Sequence, residues 1–251
     1  MYVRHGVALT LFGLLVIAPG YAGEVTVAVA TNFVAPMEIL VEDYQRRRAH
    51  TVRLVKGSTG GLHAQIVNGA PYDVLIAADQ RRSSLLASSG HGLAETQFTV
   101  ALGRLALWSP ILLSIEARGL QALQDERVRH LAIANPDLAP YGEAARQVLK
   151  ALGLWVALSP RIVRGQNVAQ AYAMVATRSA EMGLIALSQV RPGSSASEYF
   201  IVPEHLHDAI RQDAILLARG GHNQAALALL AYLKSDAARS VIVTFGYGLP
   251  D

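Results

Sequence analysis

Four short segments concentrate neutral hydrogen-bond donors where a strand-like run gives way to a helical one. Thr31 and Asn32 follow an apolar run at 25–30, and Ser58, Thr59 and Gly60 follow another at 51–55. Asn-Pro-Asp-Leu-Ala-Pro-Tyr-Gly, residues 135–142, follows a third run at 130–134, and Gly165, Gln166, Asn167 and Val168 open a further helix. Each junction sets hydroxyl or amide groups beside the N–H groups that a helix start leaves unpaired, at the positive end of the helix dipole. Such groups hold an anion without any cation. With many donors and few acceptors, they favour a fully deprotonated oxyanion over one that keeps a proton and wants an acceptor for it. Singly, each junction is an ordinary N-cap. Four in one chain point to a site.

Other chemistry is poorly represented. Gly57-Ser58-Thr59-Gly60-Gly61 lacks the lysine of a Walker A loop and the spacing of a Gly-x-Ser-x-Gly elbow. No dinucleotide fingerprint occurs. Glu204, His205, His207 and Asp208 suggest a metal site, but two histidines two apart share a face only on a strand, and no second pair supports them. Arg46, Arg47 and Arg48 close a helix, where cations complement its dipole, and Arg81 and Arg82 read likewise as solvated helix charges.

The elements that must carry the junctions follow from hydrophobic periodicity. Residues 25–30 are continuously apolar, as a strand buried on both faces requires. Met37, Leu40, Val41 and Tyr44 recur at helical spacing, with Pro36 in the first turn. Residues 51–55 and 73–77 read as strands around a short helix at 62–68, and 101–108, 130–134, 183–187 and 214–218 read as further strands. Ala145, Val148, Leu149 and Leu152 predict a helix stopped by Gly153, and Val168, Ala171, Tyr172 and Val175 one capped by Asn167. Ala226, Leu229, Leu230 and Leu233 predict a third, followed by a break at 235–236 and a last short helix. This alternation is that of an α/β fold with a largely parallel sheet. Ligands of such sheets bind beyond the carboxyl ends of the strands, where all four junctions lie. If the first half and the middle of the chain form separate lobes, the junctions face one cleft.

Residues 1–22 read as a cleaved secretory signal. Arg4 and His5 form its basic start, 7–19 its apolar run, and Gly20 and Ala22 the small residues before cleavage. The run falls short of the ~20 residues that span a bilayer. No cysteine follows to take a lipid anchor, so an exported, soluble protein is expected. Of 251 residues, 52% are hydrophobic and 16% charged, which excludes a disordered chain. Lys and Arg total 22 against 19 Asp and Glu, a net charge of +3 that is too small to imply a nucleic-acid partner. A Gly/Ser-rich stretch at 192–197 reads as a surface loop.

A family resemblance runs through the same segments. Ala-Thr-Asn-Phe (30–33), Lys-Gly-Ser-Thr-Gly (56–60), Gln-Ile-Val-Asn-Gly-Ala-Pro-Tyr-Asp-Val (65–74), Ala-Ala-Asp (77–79), Asn-Pro-x-x-Ala-Pro-Tyr-Gly (135–142), Asn-Val-x-Gln-Ala (167–171) and the closing Gly-Tyr-Gly-Leu-Pro (246–250) resemble, in order, the periplasmic molybdate-binding proteins of ABC transporters. The resemblance implies an α/β, two-lobed, type II periplasmic-binding-protein-like fold, each lobe a mostly parallel sheet flanked by helices. Lobe 1 would comprise 24–102 plus 219–251 and lobe 2 residues 103–218, with two crossings as a hinge. The C-terminal helices would then pack on the sheet that holds 25–30. The implied function is capture of molybdate, and of tungstate, by a periplasmic monomer that delivers it to a membrane ABC permease. No catalysis and no cofactor are implied, and the only metal is the molybdenum of the bound anion.

Carried over by motif, the binding residues are Thr31, Asn32, a hydroxyl of Ser58 or Thr59, Tyr141, and Val168 through its backbone N–H. The family's binding serine aligns with Thr59, which keeps the hydroxyl but adds a methyl group. Many members carry a ligand-contacting Tyr just after the strand at 183–187, where this chain has none. In the branch that begins with Thr-Asn, Tyr141 takes that place. The competing reading is that Tyr141 packs at a helix start and that Asn32 and Thr59 only cap. Lys56 and Arg164 lie near the junctions and read as steering or solvated charges, not ligands. The functional alternatives are a sulfate or other oxyanion receptor of the same fold, and an exported hydrolase using Ser58 or Ser188.

Overall fold

The computed structural model describes residues 22–112, 114–190 and 195–250, so the expected signal segment up to residue 21 and part of the 192–197 loop lie outside the described residues. The first part of the chain forms β1 (Glu24–Ala30), α1 (Val34–Arg47), β2 (Thr51–Gly57), α2 (Thr59–Val67), β3 (Val74–Ala77), α3 (Gln80–Ser88) and β4 (Phe98–Gly103). The middle forms β5 (Leu105–Trp108), α4 (Ile115–Arg118), β6 (Leu131–Ala134), α5 (Pro140–Ala151), α6 (Trp155–Leu158), β7 (Ile162–Gly165), α7 (Val168–Ala176), β8 (Met182–Ala186) and β9 (Tyr199–Ile201). β10 (Ile210–Leu216), α8 (Gln224–Leu233) and α9 (Asp236–Thr244) complete it.

The strands form two five-stranded sheets, ordered β2-β1-β3-β10-β4 and β7-β6-β8-β5-β9. Within them β1, β2 and β3 are parallel, as are β6, β7 and β8. The strands next to the crossings, β4 and β10 in one sheet and β5 and β9 in the other, pair antiparallel. The sheets are therefore mixed, because strands entering at a crossing need no helix to return them.

Both crossings between the sheets differ from the sequence reading. The apolar run at 101–108 is two strands, with β4 ending at Gly103 in the first sheet and β5 starting at Leu105 in the second. The return crossing falls before Ile210 and not at 219, since β10 pairs with β3 and β4. An apolar run reports burial, not which sheet buries it.

Side-chain alternation decides which helices each strand meets. Val25, Val27 and Val29 pack with Met37, Leu40 and Tyr44 of α1 and with Ala226, Leu229 and Ile242 of α8 and α9. Ala28 faces the other way, with Leu62 and Ile66 of α2 and Leu86 of α3. The C-terminal helices therefore cover the first sheet. The second sheet has its own core, in which Leu131 and Ile133 meet Val148 and Leu149 of α5 and Ala171 and Val175 of α7. Among the described residues, no helix is long and apolar enough to cross a membrane.

Candidate anion-binding site

β1 and β2 are parallel neighbours in one sheet, and β6 and β7 in the other. Their carboxyl ends lead into the 3₁₀ turn Thr31–Phe33, into α2, into the turn before α5 and into α7. Residues from all four meet around one cavity of about 10 Å³, whose wall includes Thr31, Asn32, Ser58, Thr59, Tyr141, Asn167 and Val168. No charged side chain among the described residues lines it. Anion binding here would rest on hydroxyls, backbone N–H groups and helix dipoles alone.

The four helix starts are not equivalent. Ser58 caps α2 by accepting the Gly61 N–H at 3.2 Å, and Asn167 caps α7 by accepting the Gln170 N–H at 3.0 Å. Neither the turn at Thr31 nor α5 has a side-chain cap, and Pro140 opens α5. Those two starts keep N–H groups that nothing in their own side chains satisfies. Thr59, almost wholly buried, accepts the Ala78 N–H on its Oγ1 at 3.0 Å, so its hydroxyl proton is left to donate elsewhere.

Asn32 behaves differently from the expectation of a donor side chain. Its amide Nδ2 donates to Gln212 Oε1 at 2.7 Å and to the Tyr247 hydroxyl at 3.0 Å. Both amide protons are thereby used. What Asn32 can offer a ligand is its backbone N–H. Its carbonyl is also tied down, accepting from Ser188 Oγ at 2.9 Å and from the Tyr247 hydroxyl at 2.8 Å. Gln212, Tyr247 and Ser188 thus hold the Thr31–Phe33 turn from behind. Tyr247 lies in the closing Gly-Tyr-Gly-Leu-Pro segment, and that motif was the one signal in the sequence pointing to this group.

Tyr141 is buried, and its hydroxyl lies near the Tyr247 hydroxyl and the Asn32 side chain but makes no hydrogen bond of good geometry among the described residues. The ring packs so closely on the crossing strand that a Cβ at Gly103 would stand 2.3 Å from that hydroxyl. Burial pushes the Tyr141 phenol well above its ordinary value, and burial does the same to Tyr247. Both stay protonated donors throughout the neutral range. The fold favours their protonated forms, so their contribution to stability is complete below the unfolded phenol value of about 10 and is lost as pH rises past it. The urea midpoint should hold between about pH 8 and 9.5 and fall above about pH 10. A Tyr247→Phe variant titrated in parallel should fall less steeply.

The alternatives find no support in the geometry. Ser58 Oγ is engaged by the Gly61 N–H, and Ser188 Oγ by Asn32 and Tyr247. Among the described residues neither serine is hydrogen-bonded to a His, Asp or Glu, the base that a nucleophilic serine needs. Around residues 204–208, Asp208 accepts from Gln147 and His207 meets the Asp208 carbonyl, and no group of three or more metal-binding side chains forms among the described residues. Arg46 and Arg47 pair with Glu42 and Asp43 on the exposed face of α1.

A two-sheet α/β chain with donor-rich helix starts converging between the sheets is the architecture of a solute receptor. The chain belongs to the bacterial extracellular solute-binding proteins, whose family description matches residues 25–248. Among its relatives, the molybdate-binding protein ModA of Azotobacter vinelandii is 44% identical over 239 residues, 94% of each chain. ModA of Rhodobacter capsulatus is 38% identical over 229 residues, 91% of this chain and 90% of its own. The solved periplasmic molybdate-binding protein of Azotobacter vinelandii superposes with a TM-score of 0.84 at 34% identity, over 90% of this chain and 100% of that one. By their names these relatives are binding proteins for molybdate.

Proposed function

We propose that this protein captures molybdate, and tungstate with it, between two lobes in the periplasm and delivers it to a membrane ABC permease. The observation that carries the proposal is the uncharged pocket walled from both sheets by four helix starts. The molybdate-binding relatives support the choice of anion. From the first sheet donate Thr31, the Asn32 N–H and a hydroxyl of Ser58 or Thr59. From the second donate Tyr141 and the Val168 N–H. A tetrahedral dianion accepts from all of them and brings no proton that would need an acceptor. Because both sheets donate, the anion favours the closed arrangement through contacts made only there. The receptor works as an exported monomer, with no cofactor beyond the anion it carries.

Calorimetric titration with molybdate, tungstate, sulfate and phosphate tests this. Molybdate and tungstate should bind tightly and phosphate weakly, because phosphate at neutral pH keeps a proton. Phosphate binding as tight as molybdate would overturn the donor-only reading. Sulfate binding tighter than molybdate would transfer the site to the sulfate alternative.

A further inference from the structure

Beside the pocket the two sheets touch through residues that do not line it. The Gly60 N–H, in the first turn of α2, donates to the Leu138 carbonyl at 2.8 Å. The Arg82 guanidinium, on α3, donates from Nη2 to the Asp137 carbonyl at 2.9 Å, while Asp79 holds its Nη1 at 2.5 Å. Asp79 also caps α3, accepting the Arg82 N–H at 2.7 Å. Arg82 is therefore not the solvated helix charge expected from the sequence, since its side chain is only 19% exposed and reaches across to the second sheet. Asp137 and Leu138 belong to the turn that leads into α5 and Tyr141. Neither Gly60 nor Arg82 is part of the pocket wall.

We infer that Gly60 and Arg82 form a closure clamp that sets how tightly the anion is held without touching it. Gly60 does not have the positive φ that five other glycines adopt among the described residues, so its backbone alone would accept a side chain. The helix would even favour alanine there. On its own side a Cβ there would meet only the tip of the Arg82 side chain, whose Nη2 would stand 3.2 Å away and can give; the rigid obstacle lies across the cleft. A Cβ at residue 60 would stand 2.9 Å from the Leu138 carbonyl oxygen and 3.2 Å from the Leu138 Cα. Those are backbone atoms, and they cannot swing aside as the tip of a flexible side chain does. The same bond is also a stop, because at 2.8 Å the two backbones are already at hydrogen-bond contact. It fixes the separation of the donors on the two sides of the pocket, and the anion that matches this separation collects contacts from both.

A glycine required by the closed cleft and not by its helix has effects of opposite sign on binding and on folding. The inference rests on the cleft being the anion site, so wild type is titrated with molybdate beside Gly60→Ala, Arg82→Ala and Arg82→Lys. Dissociation constants come from calorimetry, ligand-free stability from urea midpoints, and closure from the scattering radius at saturating molybdate. Gly60→Ala should bind about tenfold or more weakly. Its ligand-free midpoint should be equal to or above that of wild type, and its saturated radius larger. Arg82→Ala should lose about three- to tenfold, with Arg82→Lys between it and wild type. Gly60→Ala binding as tightly as wild type would overturn the clamp while leaving the cleft reading intact. A weaker Gly60→Ala whose ligand-free stability falls in step would also overturn it, by marking a role in folding. Wild type that ignores molybdate would overturn the cleft reading itself.

Discussion

Tyr141→Phe should weaken molybdate binding roughly ten- to a hundredfold while leaving the ligand-free protein as stable as wild type or slightly more so. Tyr141 opens the second sheet's side of the pocket, and its buried hydroxyl makes no hydrogen bond of good geometry among the described residues. A buried hydroxyl with no partner is a cost to the fold, and a hydrogen bond from it to an anion is worth roughly 1.5–3 kcal/mol. Phenylalanine keeps the ring packing, and the backbone N–H of residue 141 stays in place. Removing the hydroxyl should therefore leave folding untouched and appear almost wholly in the dissociation constant. Calorimetry and a urea titration of the same preparation read the two quantities separately. Equal dissociation constants for variant and wild type would reduce Tyr141 to a packing residue and leave the transport-receptor reading standing.

The second large effect is expected at the crossing between the sheets. A methyl group at Gly103 would meet the Tyr141 hydroxyl at 2.3 Å and Gln212 Nε2 at 2.9 Å. Overpacking of this kind costs roughly 1–3 kcal/mol, so Gly103→Ala should lower the urea midpoint clearly. It should also weaken anion binding, because Gln212 is one of the two groups that hold the Asn32 amide. In a Tyr141→Phe background the closest of these contacts disappears. The double variant should then regain part of the stability lost by Gly103→Ala but none of the affinity. A coupling of about 1 kcal/mol in the double-mutant cycle is the expected signature. Strictly additive stability losses would show that the two residues do not press on one another.

The donor chemistry was legible in the sequence because it is local. A strand end, a hydroxyl and a helix start lie within a few residues of one another, and the N–H groups left unpaired there follow from helix geometry alone. That is why the four junctions could be read from residue order, while the family resemblance singled out Thr31, Ser58 or Thr59, Tyr141 and Val168 within them, and all of these line the one pocket. The helices were legible for a similar reason: Met37, Leu40 and Tyr44 record in their spacing the face that α1 buries.

What no local pattern contains is the identity of a distant partner. The Asn32 amide is consumed by Gln212, 180 residues away, and by Tyr247, 215 residues away. Only the pairing of β10 into the first sheet, and the return of the C-terminal segment beside Gly103, bring those groups to it. The run at 101–108 shows the same limit, since its hydrophobicity is satisfied equally well by one sheet or by two. Arg82 shows it for charge: in sequence it is one of two arginines on a helix, and only the approach of the second sheet turns it toward Asp137. The sequence by itself thus determined the elements and the donors at their ends, since both arise from contacts a few residues apart. The tertiary structure alone decided which donors remain free, which glycine the closed cleft requires and where the chain crosses between sheets, because each depends on atoms that only long-range packing brings together.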